Sequence, residues 1–306
     1  MTRNFGAGHR DMKRAAEMVL DRARQDGQIS YGTQARYQSG WTAFVDWAKE
    51  RGINRMESID REDLLTYGKE LATRVDDGEL SVPAAQNSIS GINRVLQLAG
   101  ADWKSVSPTK ECGIPERIRF RDSAPETLSR TEYEARLQTI KEQLSPRSLA
   151  VCELAREFGL RSKEASLLNA QQALKQAQEK GVIRIDDGTK GGRIRELPAA
   201  SPEKLAVLQR ACDAQGGARA VMPASENWKS WRDGELSQAR QIMGGLHELR
   251  AAYACERYQA LIGHAAPCTG GQILDREAER EVRLVLADEL GHGRIDVVAA
   301  YVGSRK

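Results

Sequence analysis

Apolar side chains recur at three- and four-residue intervals through most of this chain, and the period breaks only briefly near the middle. From Asp11 to Arg24 the stripe is Met12, Ala15, Ala16, Val19, Leu20 and Ala23, one face of a helix. Thr33 to Arg51 repeats it with Tyr37, Trp41, Phe44, Val45 and Ala48, and Gly52 stops it. Asp60, with Asp63 three positions on, reads as the cap of a third helix that turns Leu64, Leu65 and Leu71 inward. Ser81 and Pro83 open a fourth, striped by Ile89, Ile92, Val95, Leu96 and Ala99 and ended at Gly100. No strand signal interrupts them, so residues 1–103 read as an all-α bundle.

The helical period lapses from Lys104 to Glu126, where Pro108, Pro115 and Pro125 fall, and 104–126 reads as an interdomain linker. Inside it Arg117, Arg119 and Arg121 alternate with Ile118 and Phe120. In an extended chain the three guanidiniums project from one side, a basic ribbon suited to a phosphate backbone. Residues 127–306 are mixed in pattern. Ser129 and Glu132 form a capping box for a helix through Glu142, and Ser145-Pro146 starts another that Gly159 ends. Val182 to Asp186 and Arg193 to Leu197 flank a turn-rich stretch around Lys190, the pattern of a β-hairpin. Helical patterns follow at Pro202–Ala214, Glu235–Met243, His247–Leu261, Arg276–Leu290 and from Ile295 to about Val302. The expected fold class is mainly α with a small β-sheet: a helical first domain and an α+β second one.

Composition narrows the function classes. The chain has 306 residues, 29% charged and 40% hydrophobic, an ordinary globular balance with length for two cores. Its net charge is only +3, so nucleic-acid binding requires the basic residues to cluster on one face. Five cysteines, widely spaced and odd in number, argue against a disulfide framework or a zinc cluster. No metal or other cofactor is expected. No apolar run reaches membrane-spanning length and the Met1–Phe5 start lacks a signal-peptide stretch, so a cytoplasmic protein is expected.

The chemistry lies in the C-terminal half. Arg161 with Glu164, Lys190, His247 with Arg250, then His292 and Tyr301 follow in that order, and two of only four histidines belong to the series. Cleaving a phosphodiester without a metal needs several cationic donors around one phosphate and a nucleophile in line with the leaving oxygen. Arginine suits the cradle because its planar fork donates two hydrogen bonds and stays charged. Arg161 falls at a helix start, where exposed amides also favour an anion, and Glu164 one turn on is placed to orient it. Singly, each residue has a plainer reading. Arg161–Glu164 is a surface ion pair, Lys190 a solvated lysine, and Tyr301 a packing residue among Val297, Val298 and Val302.

Together they carry a resemblance. Gly159-Leu160-Arg161-Ser162-Lys163-Glu164 resembles the first arginine box of the tyrosine site-specific recombinases, the phage-integrase family. His247-Glu248-Leu249-Arg250 resembles its His-x-x-Arg box, and Leu290-Gly291-His292 with Tyr301 nine residues on resembles its Leu-Gly-His…Tyr box. Thr189-Lys190-Gly191 followed by Arg195-Glu196-Leu197-Pro198 is similar to its catalytic-lysine hairpin. The first domain is similar to the family's SAM-like core-binding domain.

The resemblance implies that Tyr301 attacks the scissile phosphate to form a 3′-phosphotyrosyl link, and that Arg161 and Arg250 stabilise the transition state. It implies that Lys190 protonates the leaving 5′-oxygen, that His247 assists proton transfer at the nucleophile and that His292 hydrogen-bonds a non-bridging oxygen. It further implies a metal- and ATP-independent integrase of a phage or other mobile element. Four copies would assemble on two double-stranded recombination sites, accessory DNA-bending proteins being further partners. A type IB topoisomerase-like enzyme and a non-catalytic DNA-binding regulator are the competing expectations.

For DNA contact the fourth helix offers Gln86, Asn87, Ser90, Asn93 and Arg94, and the second Arg36, Gln38 and Lys49. Trp228 and Trp231 flank Lys229 and suit either stacking on DNA or packing. Two departures from the family pattern stand out. A loop over 263–275 is inserted before the Arg276 helix, and only five residues follow Tyr301, which leaves the interlocking of subunits open.

Overall fold

Asp11 accepts hydrogen bonds from the amides of Lys13 and Arg14, Ser30 from Thr33, and Ser81 from Ala84, so three of the first four helices start on a side-chain cap. The remaining one, the third, starts at Asp60 and carries the reciprocal Asp60–Asp63 box anticipated from sequence. These are α1 (Met12–Gln25), α2 (Tyr31–Glu50), α3 (Arg61–Asp76) and α4 (Val82–Leu98). The computed structural model describes residues 3–304. It divides into two compact units, one ending at Arg117 and the other beginning at Ile118, a boundary inside the stretch read as linker.

In the first unit the stripes face one core. Trp41, Phe44, Leu64, Ile89 and Ile92 are fully buried, and burial of each such side chain contributes roughly 1.5–3 kcal/mol. Helices α2 and α4 approach closely at Gly40, where a Cβ would stand 3.2 Å from the Ser88 Cα. The buried Trp41 indole donates to the Met12 carbonyl at 2.9 Å, fixing α1 on α2.

The second unit holds α5 (Arg130–Gln143), α6 (Pro146–Phe158), α7 (Ser162–Leu167), α8 (Ala170–Lys180), β1 (Val182–Ile185) and β2 (Arg195–Pro198). It continues with α9 (Pro202–Gln215), α10 (Trp228–Asp233), α11 (Glu235–Met243), α12 (Leu246–Ile262), α13 (Arg276–Glu289) and α14 (Ala299–Val302). The two strands pair antiparallel, Val182 opposite Pro198 and Ile185 opposite Arg195, forming the hairpin expected around Lys190. One core gathers α5 to α11 and the hairpin; a second gathers α12, α13, α14 and the turn at Pro267–Thr269.

The 263–275 loop, read from sequence as an insertion, takes a definite place in that second core. Cys268 lies under Tyr301: its Sγ and that of Cys255 stand 3.6 and 3.5 Å from the Tyr301 carbonyl oxygen and 3.5 Å from each other. Gly303 fits between the Cys268 amide and the Arg121 carbonyl, where a Cβ would come within 3.0 Å of both. The loop therefore forms the floor beneath α14. Among the described residues no helix is long and apolar enough to cross a membrane.

Candidate active site

Each member of the series reaches one point by a separate route. Helix α6 stops at Gly159, which adopts φ +62°, and a Cβ there would stand 2.4 Å from the Tyr253 ring. Only glycine satisfies both the left-handed backbone and the close approach of α12. The chain then buries Leu160 and delivers Arg161 at the start of α7. Glu164 accepts from the Arg161 amide at 2.8 Å and from its Nη1 at 2.7 Å, while Nη2 donates to the Leu290 carbonyl at 3.2 Å. The amide expected to receive an anion at this helix start is therefore taken by Glu164.

Arg250, one turn into α12, is 0% exposed, and its donors are directed by the fold. Nε donates to the Tyr301 hydroxyl at 3.2 Å, Nη1 to the Gly159 carbonyl and Nη2 to the Leu290 carbonyl. The Glu164 carboxylate stands 3.8 Å away. Burial pulls the Arg250 pKa down to about 10, the neighbouring Arg161 charge pulling the same way, which still leaves it protonated at neutral pH. Burial also pushes the Glu164 carboxyl upward, but the hydrogen bonds and charge of Arg195 and the Arg161 amide outweigh it and hold it ionised below the usual range.

The Leu290-Gly291-His292 turn follows α13 with Gly291 at φ +62°. His292 Nε2 lies 3.0 Å from the Tyr301 hydroxyl and 3.5 Å from Arg250 Nη2. The His247 ring stands 5.0 Å from the Tyr301 ring, centroid to centroid. Burial first, then the charges of Arg250 and Arg161, lowers both imidazoles; His292 falls to about 4. Both rings are therefore neutral at physiological pH. Tyr301 itself, on α14, is 3% exposed.

Lys190 sits on an exposed 3-10 turn, Lys190–Gly192, and its charge is felt at His292. Two guanidiniums, two neutral imidazoles, a carboxylate and a phenol thus share one locus, with an ammonium on a free turn beside it. Chemically, such an arrangement can bind an anion beside a hydroxyl able to act as a nucleophile.

The residues expected to contact DNA fare differently. Asn93 is buried: its Oδ1 accepts from the Trp103 indole at 2.8 Å and the Val106 amide at 2.9 Å, and its Nδ2 donates to the Val106 carbonyl at 2.8 Å. It brackets the post-α4 segment, so the DNA-contact expectation for Asn93 is corrected to a structural role. Arg117 donates to Gln86 at 2.7 Å and Asn87 at 2.8 Å, and Arg121 pairs with Glu248 while its amide donates to the Ala299 carbonyl at 2.8 Å.

The one-sided arginine ribbon is thereby corrected. Two of its guanidiniums already hold protein partners, and the apolar Ile118 and Phe120 are exposed. Arg119 is exposed and makes no hydrogen bond or ion pair among the described residues. Among the described residues Arg94 keeps only a 3.4 Å hydrogen bond to Gln28. On the second helix, Lys49 pairs with Asp11 at 2.8 Å and Gln38 donates to the Lys13 carbonyl at 3.1 Å. Trp231 is fully buried, its indole donating to Ser166 at 3.0 Å, which decides for packing.

Sequence reasoning missed Arg195 as a site residue. Its signal was available: an arginine at an inward position of a half-buried strand needs a carboxylate partner.

The fold has known counterparts. Residues 117–256 match the family model described as Integrase. A lambda integrase tetramer bound to a Holliday junction is similar at TM-score 0.58 and 16% identity, with 94% of this chain and 78% of that chain covered. The XerH site-specific recombinase bound to palindromic difH substrate, a post-cleavage complex, is similar at TM-score 0.57 and 16% identity, covering 96% and 82%. The Tn1549 transposon integrase in complex with transposon right end DNA is similar at TM-score 0.57 and 13% identity, covering 95% of each. At these identities the likeness is one of fold. No curated protein matches the sequence. The Integrase model thus covers just under half of the chain, and the fold over nearly all of it is the one seen in these recombinase and integrase structures.

Proposed function

We propose that this chain is a site-specific DNA recombinase, an integrase that cleaves and rejoins duplex DNA through a 3′-phosphotyrosyl intermediate. The observation that carries the reading is the convergence on the Tyr301 hydroxyl of Arg250 Nε at 3.2 Å and His292 Nε2 at 3.0 Å, with Arg161 tied to the same Leu290 carbonyl as Arg250.

The Tyr301 oxygen attacks phosphorus; the P–O5′ bond breaks, and the 3′ end of the cut strand stays on the tyrosine. Arg161 and Arg250 hold the non-bridging oxygens, whose charge grows in the pentacoordinate state. His292 Nε2, facing the point where the hydroxyl and the Arg250 guanidinium meet, hydrogen-bonds one of them. The phenolic proton passes to the neutral His247. Lys190, on its free turn, gives a proton to the departing 5′-oxygen. A 5′-hydroxyl from a second strand then reverses the step on the same ester, so the linkage energy is retained and neither ATP nor a metal is required.

The Holliday-junction complex of the lambda integrase tetramer supports a four-copy assembly on two sites for this chain as well. The source is a phage or other mobile element, and the working compartment is the one holding the DNA. The test is a two-site assay in which strands exchange between labelled duplexes. Wild type produces recombinant duplexes and Tyr301→Phe none; relaxation of supercoils without exchange would overturn the recombinase reading.

A further inference from the structure

Strand β2 alternates between buried and exposed positions, with Arg195 and Leu197 inward, Glu196 and Pro198 outward. Arg195 is thus a cation on the inner face of the hairpin, only 5% exposed. Its Nη1 and Nη2 donate to the two oxygens of Glu164 at 3.1 and 2.7 Å, and its Nε donates to the Glu289 carbonyl at 2.7 Å. It also lies on Gly291, where a Cβ would stand 3.0 Å from Arg195 Nη1. Glu164 in turn holds Arg161 at 2.7 Å. Glu289 is followed by Leu290, whose carbonyl receives Arg161 and Arg250, and then by Gly291 and His292.

One side chain therefore touches the arginine box, the Leu-Gly-His turn and the strand leading out of the Lys190 turn. The opposite arm of that turn is fastened to the same place. At Gly188 a Cβ would stand 2.8 Å from the Lys163 carbonyl oxygen and 3.0 Å from the Glu164 amide. Both arms of the hairpin are thus anchored at the start of α7, while the tip bearing Lys190 is exposed and carries Gly191 and Gly192 in the left-handed region.

We propose that Arg195 is a positioning residue of the strand-transfer reaction: through Glu164 and the Glu289 carbonyl it sets the spacing among the arginine pair, His292 and the base of the Lys190 turn. The inference rests on the recombinase reading and deepens it. Stability alone does not account for the arrangement, since a buried ion pair is often replaceable by apolar residues of equal volume without loss. What such residues cannot supply is three directed donors, each aimed at a group next to one that handles the phosphate. A small misplacement of such groups costs on the order of 10²-fold in rate.

The experiment compares wild type, Arg195→Lys, Arg195→Met, Glu164→Gln and the Arg195→Met/Glu164→Gln double variant. Each is assayed for single-turnover covalent capture on a nicked suicide duplex at saturating protein, for affinity to the same duplex and for thermal midpoint. Arg195→Met is expected to bind DNA about as tightly as wild type and to capture it roughly 10²-fold more slowly. Arg195→Lys keeps the charge but cannot reach Glu164 and the Glu289 carbonyl together, and recovers part of the rate. The double variant is no slower than the slower single one, because both changes break one linkage.

Capture at the wild-type rate by either folded Arg195 variant overturns the proposal. So does a rate loss matched by an equal loss of DNA affinity or by unfolding at the assay temperature. If Arg195→Met does not fold, Arg195→Lys decides on the same criteria. A wild-type protein that never forms the covalent complex defeats the recombinase reading itself; wild-type capture with indifferent Arg195 variants defeats only this inference.

Discussion

Arg250 Nε donates to the Tyr301 hydroxyl at 3.2 Å, joining two parts of the chain that lie 51 residues apart. The same guanidinium holds the carbonyls of Gly159 and Leu290, so it bridges the Gly-Leu-Arg turn, the Leu-Gly-His turn and the phenol. Its remaining freedom is small. A group fixed in this way needs no reorganisation when charge develops on a phosphate beside it.

That rigidity separates the two arginines experimentally. Arg161→Ala and Arg250→Ala should each slow covalent capture by roughly 10²–10³-fold, the usual cost of one lost oxyanion donor. Only Arg250→Ala should also destabilise the second unit, because the Gly159 carbonyl then loses its donor, at about 1–3 kcal/mol, and the Leu290 carbonyl keeps Arg161 alone. The Arg161 side chain is 20% exposed and its removal leaves water access. Capture rates and urea midpoints measured together check this; equal destabilisation by the two variants would contradict it.

Gly159→Ala tests the joint between α6 and α12. A left-handed backbone costs a non-glycine residue roughly 1–2 kcal/mol, and the added methyl would meet the Tyr253 ring as well. The thermal midpoint should drop and capture should slow, because Arg161 follows two residues later. An unchanged midpoint would show that the turn tolerates a side chain.

His292 gives the account a pH dependence. Its folded-state pKa is held at about 4 by burial and then by Arg250, Arg161 and Lys190, against about 6.5 in an unfolded chain. Between those values the unfolded chain binds the proton more readily, so stability is lost as pH falls from about 6.5 toward 4 and is fully present above it. Urea midpoints at pH 7 and pH 5 should differ more for wild type than for His292→Gln. Equal differences would mean that His292 is not the titrating group.

Asn93 and Arg119 should behave oppositely. Asn93→Ala removes the partner of the Trp103 indole and both polar groups of Val106, so the first unit should lose about 1–3 kcal/mol. Arg119→Ala should leave stability alone and weaken DNA binding, with the slope of log affinity against log salt smaller by about one. Thermal melts and a salt titration of DNA affinity distinguish the two.

The series from Arg161 to Tyr301 could be picked out in the sequence because phosphodiester chemistry calls for cationic donors and a hydroxyl nucleophile, and those residue types stand there in order. The hairpin was legible from the break in helical period around Asp187 to Gly192. Helix α8 was not, because its inward positions are the alanines Ala170, Ala173 and Ala177, too weakly apolar to mark a stripe. Helix α10 hid behind Trp228 and Trp231, whose basic neighbours suggested stacking on DNA rather than a buried indole. Polar residues misled most. Asn93 and Arg121 look solvated in sequence, yet each satisfies buried or half-buried groups contributed by segments that no local pattern connects to them. Arg195 escaped for the same reason, since its partners lie 31 and 94 residues away.

The central claim is that Tyr301 becomes covalently joined to a DNA 3′ end. Incubating the protein with a nicked suicide duplex, digesting the complex and weighing the modified peptide tests it directly. The account predicts a nucleotide adduct on the Tyr301 peptide, attached through the 3′-phosphate, with a free 5′-hydroxyl on the released strand and no adduct from Tyr301→Phe. An adduct on another residue, or attachment through a 5′-phosphate, would contradict it.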